Sequence, residues 1–449
     1  MLFLKTQARS HCFLISSLCL YLVSLYPGIM TADSETMYQM ALSHQYSNHH
    51  PPLMAHLWHY LVFIQTGSGC IFLINMFMLW MTVYILAFRL FKQGILHWFC
   101  LLLPLFPQII IYSGYIWKDV MFSFAYGLLA TILAEHHILK KTMSIIKATS
   151  FLSLLFYATA IKYQAQFICP IILYGFFSIF YRDWSIKTLL ISLAFSTVFI
   201  AAIHWTNDFL VETEHQSHSW QYRDIYDLAG MSIRSDQMLL PHFLLKDSST
   251  TSQNLSAFYQ VNWEPLIGQS DSPLKMPIND KERTALHQKW LQSIINHPWA
   301  YLEHRLWVWG RNMLLEPLGR PLSMDQFIEK QKKSSGIIGK IATHHTWVFH
   351  MLDIVMIFMT YALYLPVQFA NAFICIRCIK NNLSKPYAQI SLLISALSLT
   401  LVMILSVLTL AGVSRYIYFS FVMFILSCPY AGHCWAQWYL EPKIPISAK

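Results

Sequence analysis

Long runs of apolar residues, separated by short polar segments, dominate the pattern of this 449-residue chain. A helix needs about 20 mainly apolar residues to cross a bilayer. The pattern therefore predicts about ten transmembrane helices and an all-α polytopic membrane fold. The runs cover residues 11–30, 69–91, 95–116, 119–138, 148–162, 164–181, 186–206, 347–376, 386–411 and 414–438. The fifth and sixth runs are short, and they form either two spans or one re-entrant pair.

The basic residues predict the direction of the helices, because cytoplasmic loops carry an excess of Lys and Arg. If each run crosses the membrane once, the short basic segments fall on one side, and both termini are then cytoplasmic. The opposite side receives residues 31–68, the Trp117–Asp119 junction, Lys162, the segment 207–345 and Arg415. On this topology, the unusual charges collect on one non-cytoplasmic face.

The segment 207–345 is polar, with Trp, His and Pro scattered through it. Leu286 and Trp290 recur at helical spacing, and Pro298 is expected to end that helix and begin another. We therefore expect a mainly helical, non-cytoplasmic domain inserted between the seventh and eighth spans. The chain then divides into a transmembrane module, an external domain and a second transmembrane module, at 1–206, 207–345 and 346–449.

Composition supports a membrane protein and argues against one class of partner. Hydrophobic residues make up 56% of the chain and charged residues 12%, whereas soluble domains carry about 25% charged residues. The net charge of +9 would also suit a protein that binds nucleic acid. However, the Lys and Arg residues lie at the ends of apolar runs and form no basic stripe interleaved with aromatics. We therefore expect membrane lipids, and no nucleic acid, as partners.

The first external loop, 31–68, gathers carboxylates and histidines directly after the first span. Asp33 either caps the helix that follows or acts as a general base, since desolvation beside lipid raises the pKa of a carboxylate. Glu35 is a candidate to assist Asp33 in substrate binding or in holding a divalent cation. His49 and His50 are either interfacial residues or contacts for a substrate.

Three basic residues on the same face are candidates for binding a phosphate. Lys118 is followed by Asp119, and the two either neutralise each other at a turn or contact a substrate. Lys162 and Arg415 lie between apolar runs, on the side where basic residues are scarce. Charges at such positions are costly unless they are paired or functional, and Arg recognises phosphate through two parallel hydrogen bonds. The pattern predicts an anionic ligand at the membrane face.

Charged residues are also interleaved with aromatics in the external domain, at "YRDIYDLAGMS" and "HPWAYLEHRLWVWGRN". Two interpretations remain open. Either Trp and Tyr stack on sugar rings in a cleft, or an amphipathic helix lies on the bilayer with its Trp at the headgroups. For the first interpretation, the candidate substrate-binding residues are Arg223, Asp227, His297, Arg305 and Arg311.

The stretch "YPGIMTADSE…HHPPLMAHLW" resembles the first external loop of the GT-C membrane glycosyltransferases. These include the protein O-mannosyltransferases and the aminoarabinose-to-lipid A transferases. Asp33 and His50-Pro51-Pro52 match their pattern, whereas Ser34 stands where a second acid is usual and Glu35 lies one place late. "WKDVMF", "YDLAGMS", "HPWAYLEHR" and "SRYIYF" are similar to motifs of a bacterial branch of the superfamily.

This resemblance implies a GT-C-like bundle that moves one sugar from a polyprenyl-phosphate donor to a lipid, glycan or protein acceptor, with inversion. It implies that Asp33 removes the proton of the acceptor hydroxyl. Lys118, Lys162 and Arg415 would then bind the donor phosphate. It also implies a bacterial inner-membrane enzyme of glycan or lipopolysaccharide biosynthesis whose active site faces the periplasm.

Two other classes of membrane protein also place cations near lipid phosphates. One is an O-antigen polymerase or ligase, in which the large external loop usually carries the Arg and His chemistry, whereas here the first loop is the richest. The other is a transporter or flippase for lipid-linked sugars. The sequence shows no inverted repeat of the kind that many transporters have, so the glycosyltransferase is the prediction preferred here.

Overall fold

The computed structural model describes residues 2–211, 218–260, 263–310, 361–409 and 414–440, with a few isolated positions between 311 and 360. The described residues form helices, turns and loops, and no β-strand occurs among them. Single β-bridges join Ile29 to Tyr115 and Leu245 to Leu274. The predicted all-helical fold is thus confirmed for this part of the chain.

The described α-helices are numbered here in chain order. They are α1 (Leu2–Leu25), α2 (Ala32–Ser43), α3 (Leu53–Val62), α4 (Gly69–Tyr84), α5 (Gly94–Leu102), α6 (Pro107–Ser113), α7 (Lys118–Ile138), α8 (Ile145–Ala160), α9 (Cys169–Tyr181), α10 (Ile186–Leu210), α11 (Trp220–Ser235), α12 (Ser252–Ser256), α13 (Glu264–Ile267), α14 (Asp280–Asn296), α15 (Pro298–Gly310), α16 (Tyr361–Lys380), α17 (Lys385–Leu408) and α18 (Tyr418–Leu440). A π-helical segment, Ile85–Leu90, continues α4.

Among the described residues, five helical segments are long and apolar enough to cross a membrane, and a sixth results if the bent pair α5–α6 counts as one span. The predicted run 119–138 forms α7, and the runs 148–162 and 164–181 form the shorter apolar helices α8 and α9. The structure therefore fits a multi-pass membrane protein, while the count of ten spans stays a prediction. The five segments are Gln7–Leu25, Gly69–Leu90, Ile186–Leu210, Lys385–Leu408 and Arg415–Leu440.

Helix α7 lies at the centre of the apolar bundle. Most of its side chains are buried, and it packs against α4, α8, α9, α17 and α18. Small residues allow this close packing: a Cβ atom added at Gly127 would lie 3.0 Å from the side chain of Leu426 in α18. Because α7 begins at Lys118, its packing fixes Lys118 and Asp119 at one end of the bundle.

Helices α11 to α15 surround a second hydrophobic core, separate from that of the bundle. Leu286 is fully buried in it and Trp290 packs at its edge, as the helical spacing predicts. The Asn279 side chain accepts a hydrogen bond from the Glu282 N–H at 2.9 Å and so caps α14. The break predicted at Pro298 is confirmed, since α14 ends at Asn296 and α15 begins at Pro298. An inserted domain with the bounds 207–345 stays a prediction.

Candidate functional site

Six side chains from four distant parts of the chain meet at the start of α7. We call them the charged cluster. Its members were all singled out from the sequence, but their pairing was not. The charged cluster consists of Asp33, His50, Lys118, Asp119, Lys162 and Arg415.

Backbone hydrogen bonds hold the segment before α2 against the segment before α7. The Ile29 N–H donates to the Gly114 carbonyl at 2.7 Å, and the Ile116 N–H donates to the Ile29 carbonyl at 3.0 Å. The Trp117 indole N–H then donates to the Thr31 hydroxyl at 2.7 Å. These contacts bring the residues that follow, Asp33 on one segment and Lys118 on the other, to the same place.

Asp33 does not cap α2, so that interpretation is wrong. Thr31 is the N-cap residue, and its N–H donates to the Ser34 hydroxyl at 2.7 Å. This reciprocal contact is the one that a capping box makes. Ser34, which stands where the GT-C pattern has a second acid, is therefore a buried helix-start residue. The carboxylate of Asp33 is left for contacts with other parts of the chain.

Asp33 pairs with Arg415, which lies near the other end of the chain. Arg415 Nη1 is 2.9 Å from Asp33 Oδ2, and the two side chains are 22% and 31% exposed. The guanidinium also lies over the rings of Trp117 and Tyr416, with its carbon 5.2 and 5.3 Å from their centroids. These ring contacts fix the position of the guanidinium. The partial exposure leaves the ion pair accessible to a ligand.

His50 links Asp33 to Lys118. Lys118 Nζ lies 2.6 Å from His50 Nδ1, and His50 Nε2 lies 4.0 Å from Asp33 Oδ1. Burial, with a smaller effect of the Lys118 charge, lowers the pKa of His50 to about 2, so the ring is neutral at pH 7. An ammonium group only donates, so Nδ1 accepts from charged Lys118, and the proton on Nε2 faces Asp33.

Lys118 lies just before the predicted run 119–138 and is itself close to titrating. Burial and, to a smaller extent, the charge of Lys162 lower its pKa from 10.5 to about 7, while Asp119 and Asp33 oppose the change. The group therefore loses and gains its charge near neutral pH. A phosphate placed beside it would favour the charged form.

Lys162 forms a buried ion pair with Asp119, its partner from the start of α7. The two side chains are 4% and 7% exposed, and Lys162 also lies over the Tyr416 ring, 5.1 Å from its centroid. The next residue, Tyr163, donates its hydroxyl to the Asn48 carbonyl at 2.8 Å and so joins this turn to the first loop. Asp119 thus pairs with Lys162, and the interpretation that it neutralises Lys118 across a turn is not the arrangement found.

The charged cluster has a surplus of positive charge. Lys118, Lys162 and Arg415 contribute three positive charges when Lys118 is protonated, and Asp33 and Asp119 contribute two negative ones. The sum is +1, because His50 is neutral. In the low dielectric of a largely buried site, such a surplus attracts an anion much more strongly than it would in water.

The other predicted residues of the first loop are peripheral. Glu35 is exposed, and Asp33 gives one oxygen to a guanidinium, so the two carboxylates do not fit a divalent-cation site. Within the described residues, no group of three or more His, Cys, Asp or Glu side chains is arranged to hold a metal. The His49 ring lies 4.7 Å from that of His50 and 6.3 Å from that of Tyr222 in α11.

Two of the predicted residues in helices α11 to α15, Asp227 and Arg305, contact each other. Arg305 Nη2 donates to Asp227 Oδ2 at 2.5 Å, and both side chains are buried. The same carboxylate accepts from Trp290 at 2.9 Å and lies 2.9 Å from His304 Nε2. Burial raises the pKa of Asp227, but Arg305 and His304 outweigh it and lower the pKa overall. The side chains of Asp227, His304 and Arg305 are buried beside the second core, so they are not exposed to a sugar.

Three further predictions have separate outcomes. Arg223 donates to Asp224 through Nε at 3.0 Å and Nη2 at 2.7 Å, and it lies over the Trp290 ring at 4.2 Å. His297 is the half-buried residue at the junction of α14 and α15. Arg311 lies outside the described residues. The geometry brings neither Arg223 nor His297 into the charged cluster.

Sequence reasoning missed the aromatic part of the site and one buried histidine. Trp117 and Tyr416 frame Arg415, and His304 completes the set around Asp227. Each is adjacent in sequence to a predicted basic residue, and that adjacency was the available signal. A Trp or Tyr beside a lone cation at a membrane face is a candidate for a cation–π contact.

The function has to be argued from this geometry. No protein-family model, curated protein or solved structure matches the chain. What the GT-C resemblance implies therefore stays a prediction. The charged cluster is the place where the residues of that prediction are found together.

Proposed function

We propose that the protein is a membrane glycosyltransferase that moves a single sugar from a polyprenyl-phosphate donor to a lipid, glycan or protein acceptor. One observation carries the proposal. The three cations predicted to bind the donor phosphate, Lys118, Lys162 and Arg415, lie in one cluster with Asp33, the predicted base. A lipid-linked sugar presents its phosphate at the membrane surface, and the charged cluster lies at one end of α7, the central helix of the apolar bundle.

The cations have a direct role in such a reaction. As the bond between the sugar and the phosphate breaks, negative charge grows on the phosphate oxygens, and fixed positive charges beside them stabilise the transition state. Arg415 is partly exposed and suited to two parallel hydrogen bonds with phosphate. Lys118 gives a second contact, and Lys162, which is buried with Asp119, supplies the field and holds the turn in place.

Asp33 is the group placed to take the acceptor proton. The acceptor oxygen attacks the anomeric carbon, the bond to the phosphate oxygen breaks, and the phosphate leaves with the electron pair. The hydroxyl proton passes to Asp33 Oδ1, because Oδ2 is paired with Arg415. One base suffices for direct displacement with inversion, as in other single-displacement glycosyl reactions. The phosphate can draw Arg415 toward itself, and this would free Asp33 as a base.

The remaining elements belong to the same proposal. A bundle of about ten spans, cytoplasmic termini and an external domain between the seventh and eighth spans would put the charged cluster on the periplasmic face of a bacterial inner membrane. The five or six apolar helices and the second hydrophobic core support this arrangement. His49 and Tyr222 are neighbours across the two parts, so an acceptor could approach between the first loop and α11.

The decisive experiment replaces Asp33 by Asn in cells that lack the native gene. Glycolipids, glycans and glycoproteins are compared by mass spectrometry, with protein abundance measured in parallel. Asp271→Asn, which removes an exposed carboxylate far from the cluster in sequence, is the matched control. We expect Asp33→Asn to lose the mass of one sugar and Asp271→Asn to keep it.

Other results would point elsewhere. Loss of many repeat units at once would favour the polymerase or ligase, and accumulation of an intact lipid-linked sugar would favour the transporter. If Asp33→Asn restores the full wild-type product, Asp33 is not the base, and the proposal fails in its central step.

A further inference from the structure

A cavity lies at the opposite end of α7 from the charged cluster. Helix α7 has 21 residues, so its two ends are about 31 Å apart. The cavity has a volume of about 140 Å³, which equals roughly four to five water molecules at about 30 Å³ each. It opens between the turn that follows α7 and the end of α9. Its lining consists of Lys141, Thr142, Met143, Phe176, Ile179, Phe180 and Arg182.

One side of the cavity is cationic. Lys141 donates to Glu135 at 3.0 Å but remains 38% exposed, so its other N–H groups point to solvent. Arg182 is exposed, and no ion pair to it occurs among the described residues. The backbone of Arg182 is left-handed, with φ of 54°, and this turns the chain sharply at the end of α9. Thr142 adds a hydroxyl between the two cations.

The surrounding turns reinforce that charge. Residues 139–147 and 181–187 contain five basic residues and one acidic residue, Asp183. Asp183 accepts hydrogen bonds from Ser185 and Thr188 at the start of α10. The local surplus of positive charge therefore faces outward. The basic residues are Lys140, Lys141, Lys147, Arg182 and Lys187.

The other side of the cavity is apolar and continues into the exposed surface of the bundle. Phe176 and Ile179 form the wall, and Phe180, also in the lining, is 58% exposed. Ile145 and Ile146, at the start of α8, are 80% and 76% exposed. A free phosphate ion needs no apolar wall, whereas a lipid does. The combination of cationic pocket and apolar wall is the one that basic pockets between transmembrane helices offer to anionic headgroups.

We propose that this cavity binds the phosphate of an anionic phospholipid. The phosphate accepts hydrogen bonds from Arg182, Lys141 and Thr142, and the acyl chains lie along α9 beside Phe180. The site is distinct from the charged cluster, and it does not depend on the proposed glycosyltransferase activity.

Native mass spectrometry of the detergent-solubilised full chain tests this proposal. Phosphatidylglycerol, phosphatidylcholine and inorganic phosphate are added separately. The test protein is Lys141→Gln/Arg182→Gln. The control is Lys380→Gln/Arg377→Gln, which removes one Lys and one Arg from α16, outside the cavity and its surrounding turns; both of these side chains are exposed.

We expect wild-type and control proteins to keep a phosphatidylglycerol adduct that the test protein loses at least about tenfold, which corresponds to about 1.4 kcal/mol. Phosphatidylcholine and inorganic phosphate should give little adduct. Equal retention of phosphatidylglycerol by test and control proteins would overturn the proposal. So would equal binding of phosphatidylcholine, or displacement of phosphatidylglycerol by inorganic phosphate. A thermal unfolding curve of the test protein, compared with the control, confirms that the loss is not a folding defect.

Discussion

Arg415 Nη1 lies 2.9 Å from Asp33 Oδ2, so the start of α2 and the turn that precedes α18 meet in one ion pair. The pair is partly exposed, and it holds together the residue proposed as base and the residue best suited to bind phosphate. A donor phosphate would compete with Asp33 for the same guanidinium. Under the proposed function, donor binding and activation of the base would therefore be coupled.

The first prediction tests that coupling. Arg415→Gln and Asp33→Asn should each lower sugar transfer by at least about 100-fold, the scale of losing a positioned acid–base group. Because both residues act in one step, the double variant should be no worse than the weaker single variant by more than a few-fold. Transfer is measured in membranes, with product mass normalised to protein abundance. Losses that multiply in the double variant would show that the two residues act independently.

The second prediction concerns pH. Burial and the neighbouring Lys162 lower the pKa of Lys118 to about 7, so the cation is present below that pH and lost above it. Affinity for a polyprenyl phosphate should therefore fall by about tenfold from about pH 6 to about pH 8.5. Lys118→Arg stays charged throughout and should show a much smaller fall. The change in ionisation of the phosphate itself is common to both proteins.

The measurement is the dissociation constant of a polyprenyl phosphate in detergent at the two pH values. The pKa of Lys118 also gives the stability of the folded protein a pH dependence, and the sign of that dependence can be checked. Since the folded pKa lies below the unfolded value, the unfolded chain binds more protons between about pH 7 and 10.5, and Lys118 makes the protein more stable as pH rises through that window. Equal pH dependence in wild type and Lys118→Arg would remove Lys118 from phosphate binding.

The third prediction distinguishes a structural role of the buried Lys162–Asp119 ion pair from a role in the reaction. Lys162→Met leaves the Asp119 carboxylate buried without its partner and should lower the free energy of unfolding by about 3–5 kcal/mol. Lys162→Met/Asp119→Leu removes both charges and should recover most of that loss. Lys147→Met, at an exposed lysine, should change stability by less than about 0.5 kcal/mol. Thermal unfolding in detergent ranks the four proteins.

A recovered but inactive double variant would mean that Lys162 also supplies charge to the reaction. If Lys162→Met is as stable as Lys147→Met, the buried ion pair does not stabilise the fold.

The fourth prediction concerns the contact between α15 and the end of α17 in the bundle. Arg305 donates through Nη1 to the Thr409 carbonyl at 2.8 Å and through Nη2 to Asp227. Arg305 uses two separate nitrogens for its two contacts. The ammonium group of lysine carries its donors on a single nitrogen and does not reproduce that arrangement. Arg305→Lys should therefore raise amide hydrogen exchange in the last turn of α17 by about tenfold, or about 1.4 kcal/mol.

Arg223→Lys is the matched control for this prediction. Arg223 donates to Asp224 within α11, so the same substitution there should leave exchange in α17 unchanged. Similar exchange in both variants would mean that the Arg305 contact does not hold the end of α17.

The sequence by itself determined the helical, membrane-embedded character of the chain, because hydrophobic burial in lipid depends on local composition and periodicity. It also identified every charged member of the cluster, since an ionisable residue at the edge of an apolar run is costly wherever the chain folds. The break at Pro298 followed from the missing N–H of proline. Thr31 was not predicted as the cap of α2, because Thr31 and Asp33 are both good caps and local propensity does not decide between them.

Tertiary structure alone decided which charges pair. Lys162 pairs with Asp119, and Asp33 pairs with Arg415. These residues are too far apart in sequence for local patterns to predict the pairing. Asp227 and Arg305 are charged residues beside aromatic ones, so the sequence does not distinguish them from the members of the charged cluster. In the structure, they are buried against each other. Burial and partner choice depend on how helices pack, and they set whether a charge supports the fold or remains open to a ligand.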